Sequence, residues 1–113
     1  MQASRRLRVL TFFCGIAVLA GCDNSQAKLM NDLKVVGLDY HNYHDANHKG
    51  PANWEELQKN SIDPQAVQRV KDAGYQVKWG VEFDKVSEGL SNTVLAEKPG
   101  GPFKLMMDGA VTQ

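Results

Sequence analysis

The spacing of the apolar residues changes once along this chain, from a helical period to an alternating one. From about Ala27 the apolar residues fall on one stripe of a helix that turns ~100° per residue. The stripe consists of Leu29, Leu33, Val36, Tyr40 and Tyr43. Lys49-Gly50-Pro51 predicts the helix end, because glycine can take the left-handed cap and proline cannot continue a helix. Gly37 lies inside this helix and indicates close packing of another element.

Two shorter helices are predicted to follow. Asn53 can cap the first through its side chain, and Glu56 stands three residues later, as in a capping box. Asp63-Pro64 opens the second, because aspartate is a good cap and proline is tolerated where the first amides are free. Ala73-Gly74 ends it. We expect Trp54, Leu57, Val67 and Val70 to face inward.

The alternating period predicts strands in the second half of the chain. Apolar and polar residues alternate from Tyr75 to Phe83, which is typical of a strand with one buried face. After a polar loop over 84–92 we expect strands over 93–96, 103–107 and 110–112. Asp108-Gly109 suits a type I′ hairpin turn between the last two.

Helices followed by strands predict an α+β fold. We expect a long N-terminal helix and two short helices packed on a small antiparallel sheet of three to four strands.

The first 22 residues have the build of an export signal. Arg5, Arg6 and Arg8 form a cationic region, and an apolar run over 9–20 follows. Leu19-Ala20-Gly21 then precedes Cys22. The apolar run is shorter than the ~20 residues of a membrane span. An ordinary signal peptide also ends in small residues, but the cysteine directly after them resembles the lipobox of bacterial lipoproteins.

The lipobox resemblance implies cleavage before Cys22 and a diacylglyceryl group on its thiol, with further acylation such as palmitate. The chain then divides into a signal peptide over 1–21, a lipidated cysteine and polar tether over 22–26, and a globular α+β domain over 27–113. Cys14 leaves with the signal and Cys22 carries lipid, so the mature chain has no disulfide. Its hydrophobic core must therefore stabilise the domain without one.

The charge balance argues against nucleic acid as a partner. The whole chain has 13 basic and 13 acidic residues, and removal of the three signal arginines leaves 10 basic against 13 acidic, or about −3. No run of basic residues marks a nucleic-acid surface.

Three segments of the mature chain carry recognisable motifs, over 31–51, 88–98 and 98–111. Their motif residues are Asn31, Leu33, Lys34, Gly37, His41, Asn42, Tyr43, His44, Asp45, Ser91, Asn92, Thr93, Pro99, Gly100, Gly101, Asp108 and Gly109. In this order they resemble a large group of pseudopilin-like proteins, abundant in planctomycetes, that has no assigned biochemical function. The resemblance implies a pilin-type fold, in which a helix lies on an antiparallel sheet.

The chain departs from that group in two ways. A histidine of the group's C-terminal signature is Lys98 here, so no role of that histidine is carried over. The lipobox also replaces the group's prepilin leader and long hydrophobic assembly helix. We therefore expect a short, lipid-anchored relative that keeps the pilin-like head and does not build filaments by the usual route.

His41, His44 and His48 are the three histidines of the chain, and their spacing places them within about 60° on one helix face. Imidazoles in this arrangement could bind zinc or copper, with Asp45 as an added carboxylate. The competing interpretation is that they form hydrogen bonds where the helix borders the sheet or a loop.

Other arrangements of reactive residues are weaker. His44, Asp45 and Ser91 suggest a hydrolase triad, but no Gly-x-Ser-x-Gly segment surrounds the serine. Trp54, Trp79 and the tyrosines could form an aromatic binding platform, although their spacing favours core packing.

The sequence therefore predicts a non-enzymatic, lipid-anchored protein of the cell envelope, facing the periplasm or exterior, with a structural or adaptor role. Its expected partners are the membrane, through lipid on Cys22, and envelope or secretion and pilus-type proteins; we expect no cofactor. The alternative is a metal-binding or metal-sensing lipoprotein that uses the histidine face.

Overall fold

The computed structural model describes the side chains from Ser25 to Gln113, and it has the predicted α+β architecture. Three helices precede a sheet of four short strands, with two 3-10 turns between the first and second strands. The elements are α1 (Gln2–Asn47), α2 (Trp54–Lys59), α3 (Pro64–Asp72), β1 (Gln76–Val77), β2 (Val94–Glu97), β3 (Lys104–Met106) and β4 (Val111–Thr112). The 3-10 turns are Phe83–Lys85 and Leu90–Asn92.

The sheet is antiparallel throughout, with the strand order β1-β2-β3-β4. In β2 the register shifts between Val94 and Ala96, which pair with Met106 and Leu105. The extra residue is a β-bulge, which lets the adjacent Leu95 and Ala96 both be fully buried. The bulge therefore adds a second core residue to a strand of four.

The core lies between the apolar stripe of α1, the inner faces of α2 and α3, and one face of the sheet. Around β3, every second residue points inward, as the pleat of a strand requires. The buried side chains are Leu33, Val36, Tyr40, Leu57, Ala66, Val67, Val70, Tyr75, Leu95, Ala96, Phe103, Leu105 and Met107. Leu29 and Tyr43, at the two ends of the stripe, are half-buried. The stripe read from the sequence is thus the face that α1 packs into the core.

The boundaries of α1 differ from the sequence prediction. Ser25 and Gln26, assigned to a tether, belong to the helix, and the helix ends at Asn47 rather than at Lys49. The left-handed residue after it is His48, with φ 61°, and not Gly50.

Gly50 is needed for a different reason. It is buried, and a Cβ atom there would lie 2.3 Å from the hydroxyl oxygen of Tyr40 and 2.5 Å from its ring. Glycine therefore lets the chain after α1 cross directly over the Tyr40 ring.

The predicted caps of α2 and α3 are confirmed. Asn53 Oδ1 accepts a hydrogen bond of 2.9 Å from Glu56 N–H, and Asp63 Oδ1 accepts one of 3.3 Å from Ala66 N–H. Gly74 ends the α3 segment with φ 93°. In α2, Glu56 Oε2 accepts from the amide of Ala52 at 3.0 Å, one residue before the position that a capping box uses.

The strand predicted over 75–83 is mostly wrong, since only Gln76–Val77 pairs in the sheet. Beyond Lys78, whose amide donates to Leu95 O at 2.9 Å, the segment turns to the loop after α1. Gly80 N–H donates to Pro51 O, and Gly50 N–H donates to Val81 O, both at 2.8 Å. The alternating side chains remain partly buried, but their backbone is paired outside the sheet.

The hairpin turn between β3 and β4 also differs from the prediction. A type I′ turn needs positive φ at both central residues. Gly109 has φ 93°, whereas His48 is the one non-glycine with positive φ among the described residues, so Asp108 does not fit. Gly109 N–H donates to Met106 O at 3.0 Å and Met106 N–H to Ala110 O at 2.8 Å. The connection is therefore a three-residue loop with glycine in the left-handed position.

Candidate functional site

The three histidines occupy different environments along one face of α1. His44 is buried, with 9% of its surface exposed, and His41 is half-buried. His48 is exposed and lies just after the last helical residue. The first two histidines border the sheet and the loop that follows β1, which is the border that the hydrogen-bonding interpretation predicted.

His41 reaches across to the end of β3. Its Nε2 atom lies 2.5 Å from the carbonyl oxygen of Met107. Because a carbonyl oxygen only accepts, Nε2 of His41 must carry a proton and donate it to this bond. The imidazole therefore acts as a backbone hydrogen-bond donor that joins α1 to the β3–β4 hairpin.

His44 performs the opposite role toward the loop after β1. The amide of Phe83 donates a hydrogen bond of 3.1 Å to Nε2 of His44, so this nitrogen carries no proton. The Phe83 ring stacks on His44 with centroids 4.2 Å apart, and it lies 4.6 Å from His41. The Phe83 ring thus covers His41 and His44 on this face of α1.

Tyr40 completes this set of backbone contacts. Its hydroxyl donates to Lys78 O at 2.6 Å and accepts from Val81 N–H at 3.1 Å. Burial raises the pKa of Tyr40 above its ordinary value, and the Val81 hydrogen bond opposes this rise. Together with His44, Tyr40 supplies partners for backbone groups between Lys78 and Phe83 that a sheet neighbour would otherwise satisfy.

All three motif segments meet around the peptide groups of Met107. Its N–H donates to Thr93 O at 2.8 Å, and its C=O accepts from His41. Close by, a Cβ atom on Gly37 would lie 3.1 Å from Leu105 Cδ1 and 3.3 Å from Gly109 Cα. The expectation that Gly37 permits close packing is confirmed, and the packed element is the β3–β4 hairpin.

Motif residues also line a shallow cleft beside this junction. We call it the motif cleft; it has a volume of about 220 Å³ and is lined by Lys34, Gly37, Leu38, His41, Asp108 and Gly109. Leu38 is 48% exposed. The cleft offers one cation, one carboxylate and one apolar side chain, all at a surface open to solvent.

Most other motif residues form hydrogen bonds within turns or face solvent. Thr93 Oγ1 donates to Gly89 O at 2.9 Å, Asn92 Nδ2 donates to Glu88 O at 3.1 Å, and Asp108 Oδ1 accepts from Ala110 N–H at 3.0 Å. Tyr43 OH donates to Glu56 Oε2 at 2.9 Å. The exposed motif residues are Asn31, Lys34, Asn42, Asp45, Ser91, Asn92, Pro99, Gly100 and Asp108.

Lys98 lies away from the histidines. It follows the last residue of β2, whereas Thr93, which contacts Met107, precedes the first. The carbonyl oxygen of Lys98 accepts from Gly101 N–H at 2.9 Å, which closes a turn, and Gly100 has φ 74° there. This position is therefore a turn residue at the opposite end of β2.

The hydrolase arrangement finds no support in the described geometry. Ser91 and Asp45 are exposed, and Nε2 of His44 accepts from Phe83. No hydrogen bond joins His44 to Ser91 or to Asp45 between Ser25 and Gln113.

The metal hypothesis meets a similar obstacle. Across the described part of the chain, no group of three or more histidine, cysteine, aspartate or glutamate side chains is arranged to hold a metal ion. A metal at Nε2 of His41 or His44 would have to replace a hydrogen bond to the backbone.

Two aspartates that were not predicted as contact residues connect α1 to α3 and to the segment just before it. Asp32 accepts two hydrogen bonds from Arg69, Nε to Oδ2 at 2.9 Å and Nη2 to Oδ1 at 3.0 Å. Asp39, which is 3% exposed, accepts from the hydroxyl of Ser61 and from Ile62 N–H at 3.2 Å. Burial raises the pKa of Asp39, although both hydrogen bonds oppose the rise. Their position beside Leu33 and Tyr40 on the stripe was the available signal.

The Trp54–Trp79 pair is part of the packing around the core, as its spacing suggested. The two rings meet edge to face with centroids 5.1 Å apart, and both side chains are half-buried.

The anchor features lie outside the described residues. The signal peptide over 1–21 and the lipid site at Cys22 both precede Ser25. From Ser25 onward, no helix combines the length and apolarity that crossing a bilayer requires.

Comparisons with known protein families, with curated proteins and with solved structures found no match. The resemblance to pseudopilin-like proteins stays a prediction that rests on the motif residues named above.

Proposed function

We propose that this protein is a non-enzymatic lipoprotein of the bacterial cell envelope, whose pseudopilin-like head serves as a scaffold or adaptor. The single observation that carries the scaffold role is the bonding around Met107. Histidine, threonine and glycine residues from all three motif segments converge there, and the polar atoms involved are taken up in backbone hydrogen bonds. Residues that hold the head together explain the motif without a reaction.

The anchor rests on the Leu-Ala-Gly-Cys segment that ends at Cys22. Buried lipid contributes about 0.8 kcal/mol per CH₂ group, so one acyl chain binds a membrane marginally, whereas two or more hold stably. A diacylated Cys22 would keep the head near the bilayer surface. Partners would then be other envelope proteins, of which secretion and pilus-type assemblies are the class that the motif resemblance favours.

The motif cleft is the surface that we assign to such a partner. Lys34, Leu38 and Asp108 are all accessible there and offer charge of both signs beside an apolar side chain. Interfaces commonly combine an apolar centre with a polar rim. Leu38, with 48% of its surface exposed, would be the apolar centre of such an interface.

An in-cell crosslinking experiment tests the adaptor role. A photoreactive amino acid at Leu38 should trap a specific envelope protein, while the same probe at exposed Asn47, half a turn around α1 from Leu38, should not. Leu38→Asp should abolish the crosslinked partner in a pull-down from envelope extracts. Equal labelling from both sites, or a chain that remains monomeric and without partners, would contradict the proposal.

A further inference from the structure

The packing of α3 shows which parts of the head lie at the N-terminal end of α1. Asp39 of α1 contacts Ser61 and Ile62, which precede α3, whereas Asp32 contacts Arg69 in its second half. The two helices are therefore antiparallel. The C-terminal end of α3 lies toward the N-terminal end of α1, the end from which the chain leads back to Cys22.

One corner of the sheet belongs to the same end. A Cβ atom on Gly74, just after α3, would lie 3.7 Å from Cε of Lys98. Gln76 pairs with Glu97 in the register of β1 and β2, and Lys104 Nζ lies 4.0 Å from Glu97 Oε2. We call this region the anchor-proximal end. Its charged residues are Lys28, Asp32, Arg69, Lys71, Asp72, Glu97, Lys98 and Lys104.

The anchor-proximal end is basic, while the remainder of the head is acidic. Five basic and three acidic residues lie at this end, whereas five basic and nine acidic residues occupy the rest of 25–113. This difference is not visible in the linear sequence, because the lysines at this end are far apart along the chain. Because this end is positive and the remainder is negative, a charged surface nearby favours one orientation of the head.

The acidic residues at this end already have partners within the chain. Asp32 binds Arg69 through both oxygens, Glu97 lies beside Lys104, and Asp72 Oδ1 accepts from Gln68 Nε2 at 2.9 Å. Lys28, Lys71 and Lys98 are exposed, and among the described residues none of them forms an ion pair within 4.0 Å. Three lysines thus remain available to an external anion.

We propose that Lys28, Lys71 and Lys98 dock the head onto the anionic phospholipid headgroups of the membrane that holds its anchor. The inference rests on the proposed lipid anchor, because acylation at Cys22, six residues before Lys28, brings this end within reach of the surface. Such attraction falls off within a Debye length of about 8 Å at physiological salt. The acidic remainder of the head is repelled by the same surface, so docking holds it outward.

Docking is expected to protect the three lysines from a chemical reagent. The acylated full-length protein, purified from membranes, is placed in vesicles of phosphatidylglycerol and phosphatidylcholine or of phosphatidylcholine alone. A membrane-impermeant amine-acylating reagent is added, and peptide mass spectrometry measures each lysine. On the anionic vesicles Lys28, Lys71 and Lys98 should react about fivefold more slowly than on the neutral ones. Lys49, Lys59 and Lys78, which belong to the acidic remainder, should react equally on both.

Matched variants separate charge from mere proximity. Lys104 lies at the same end, so docking should also protect it on anionic vesicles, and Lys28→Gln/Lys71→Gln/Lys98→Gln should remove that protection. In Lys49→Gln/Lys59→Gln/Lys78→Gln it should keep that protection. About 1 M NaCl, where the Debye length is about 3 Å, should abolish protection in the parent protein.

The outcomes distinguish the surface from the anchor. An acyl mass on Cys22 together with equal lysine rates on the two kinds of vesicle would overturn the docking surface and leave the anchor intact. Protection that survives high salt, or that covers all lysines alike, would also overturn it. A chain without acyl mass would overturn the anchor, and the docking inference with it.

Discussion

Nε2 of His41 donates a hydrogen bond to the carbonyl oxygen of Met107, 66 residues further along the chain, at 2.5 Å. This bond joins the first motif segment to the last, and Thr93 of the middle segment contacts the amide of the same residue. The histidines of the motif are therefore part of the architecture between α1 and the sheet.

Removing His41 or His44 should destabilise the head. His41→Ala leaves the Met107 carbonyl without its donor, and His44→Ala leaves the Phe83 amide without its acceptor. Each change is expected to lower the free energy of unfolding by about 1 to 3 kcal/mol. Urea unfolding of a soluble chain that begins at Ser25 measures this. His41→Gln should recover part of the loss, since its amide can donate.

His48 supplies the matched control. It is exposed and has φ 61°, a conformation that asparagine tolerates. His48→Asn should change the unfolding free energy by less than about 0.5 kcal/mol. Similar losses at all three histidines would contradict the assigned contacts.

Gly50 and Gly37 should tolerate alanine unequally. A methyl group on Gly50 would collide with the Tyr40 ring, which is buried and held at its hydroxyl by two backbone groups. We expect Gly50→Ala to cost about 3 kcal/mol. Gly37→Ala meets Leu105 at 3.1 Å and gains helix propensity of about 1 kcal/mol, so its net loss should be smaller.

Thermal unfolding of the two variants checks this order, with Asn42→Ala as a control on the exposed face of α1. The control should be neutral or slightly stabilising, because alanine is the better helix former. If Gly50→Ala were as stable as the parent, the crossing of Gly50 over Tyr40 would be incorrect.

Much of this fold followed from local signals. The stripe of α1, the caps at Asn53 and Asp63, and the existence of strand β3 depend on residues close together in sequence. The place of Gly37 also followed, because a glycine inside a helix has few explanations besides close packing. These features need no knowledge of distant partners.

The features that the sequence did not reveal depend on distant partners. The segment after Val77 has a strand pattern, but Tyr40, His44 and the loop at Gly50 satisfy its backbone instead of a neighbouring strand. The left-handed residue after α1 is His48, while Gly50 is required for its close approach to Tyr40. The basic anchor-proximal end arises only when α3 and β2 bring Lys71 and Lys98 to one side.

Asp39 predicts a specific pH dependence of stability. Burial raises the pKa of Asp39 above the ordinary 3.8. Between pH 3.8 and the raised pKa, the folded state therefore binds the proton more tightly than the unfolded state. Stability from this group is therefore present at low pH and is lost as pH rises through the raised value. The nearby charge of Asp63 adds to the effect.

Asp39→Asn should remove that part of the pH dependence while retaining an acceptor for Ile62 N–H. Its free energy of unfolding at pH 7 should equal or exceed that of the parent, whereas Asp39→Ala should lose about 1 to 3 kcal/mol. Urea unfolding between about pH 4 and pH 7 measures both variants. If the free energy of unfolding changed with pH in the same way for Asp39→Asn and the parent, Asp39 would not titrate as described.

Zinc and copper titrations test the alternative function. Because Nε2 of His41 and of His44 are both bonded to the backbone, we expect no binding tighter than about 100 µM, which corresponds to about −5.5 kcal/mol. Isothermal calorimetry on the soluble chain measures this. Tighter binding that His44→Ala abolishes would instead favour metal sensing.

The central claim is that Cys22 carries lipid and holds the scaffold head at a membrane. Intact-mass and N-terminal peptide mass spectrometry of the protein purified from envelopes test it directly, with Cys22→Ser as the control. The account predicts a chain cleaved before Cys22 that carries at least a diacylglyceryl group, and a control that is uncleaved or unacylated. An unmodified chain recovered from the soluble fraction would contradict it.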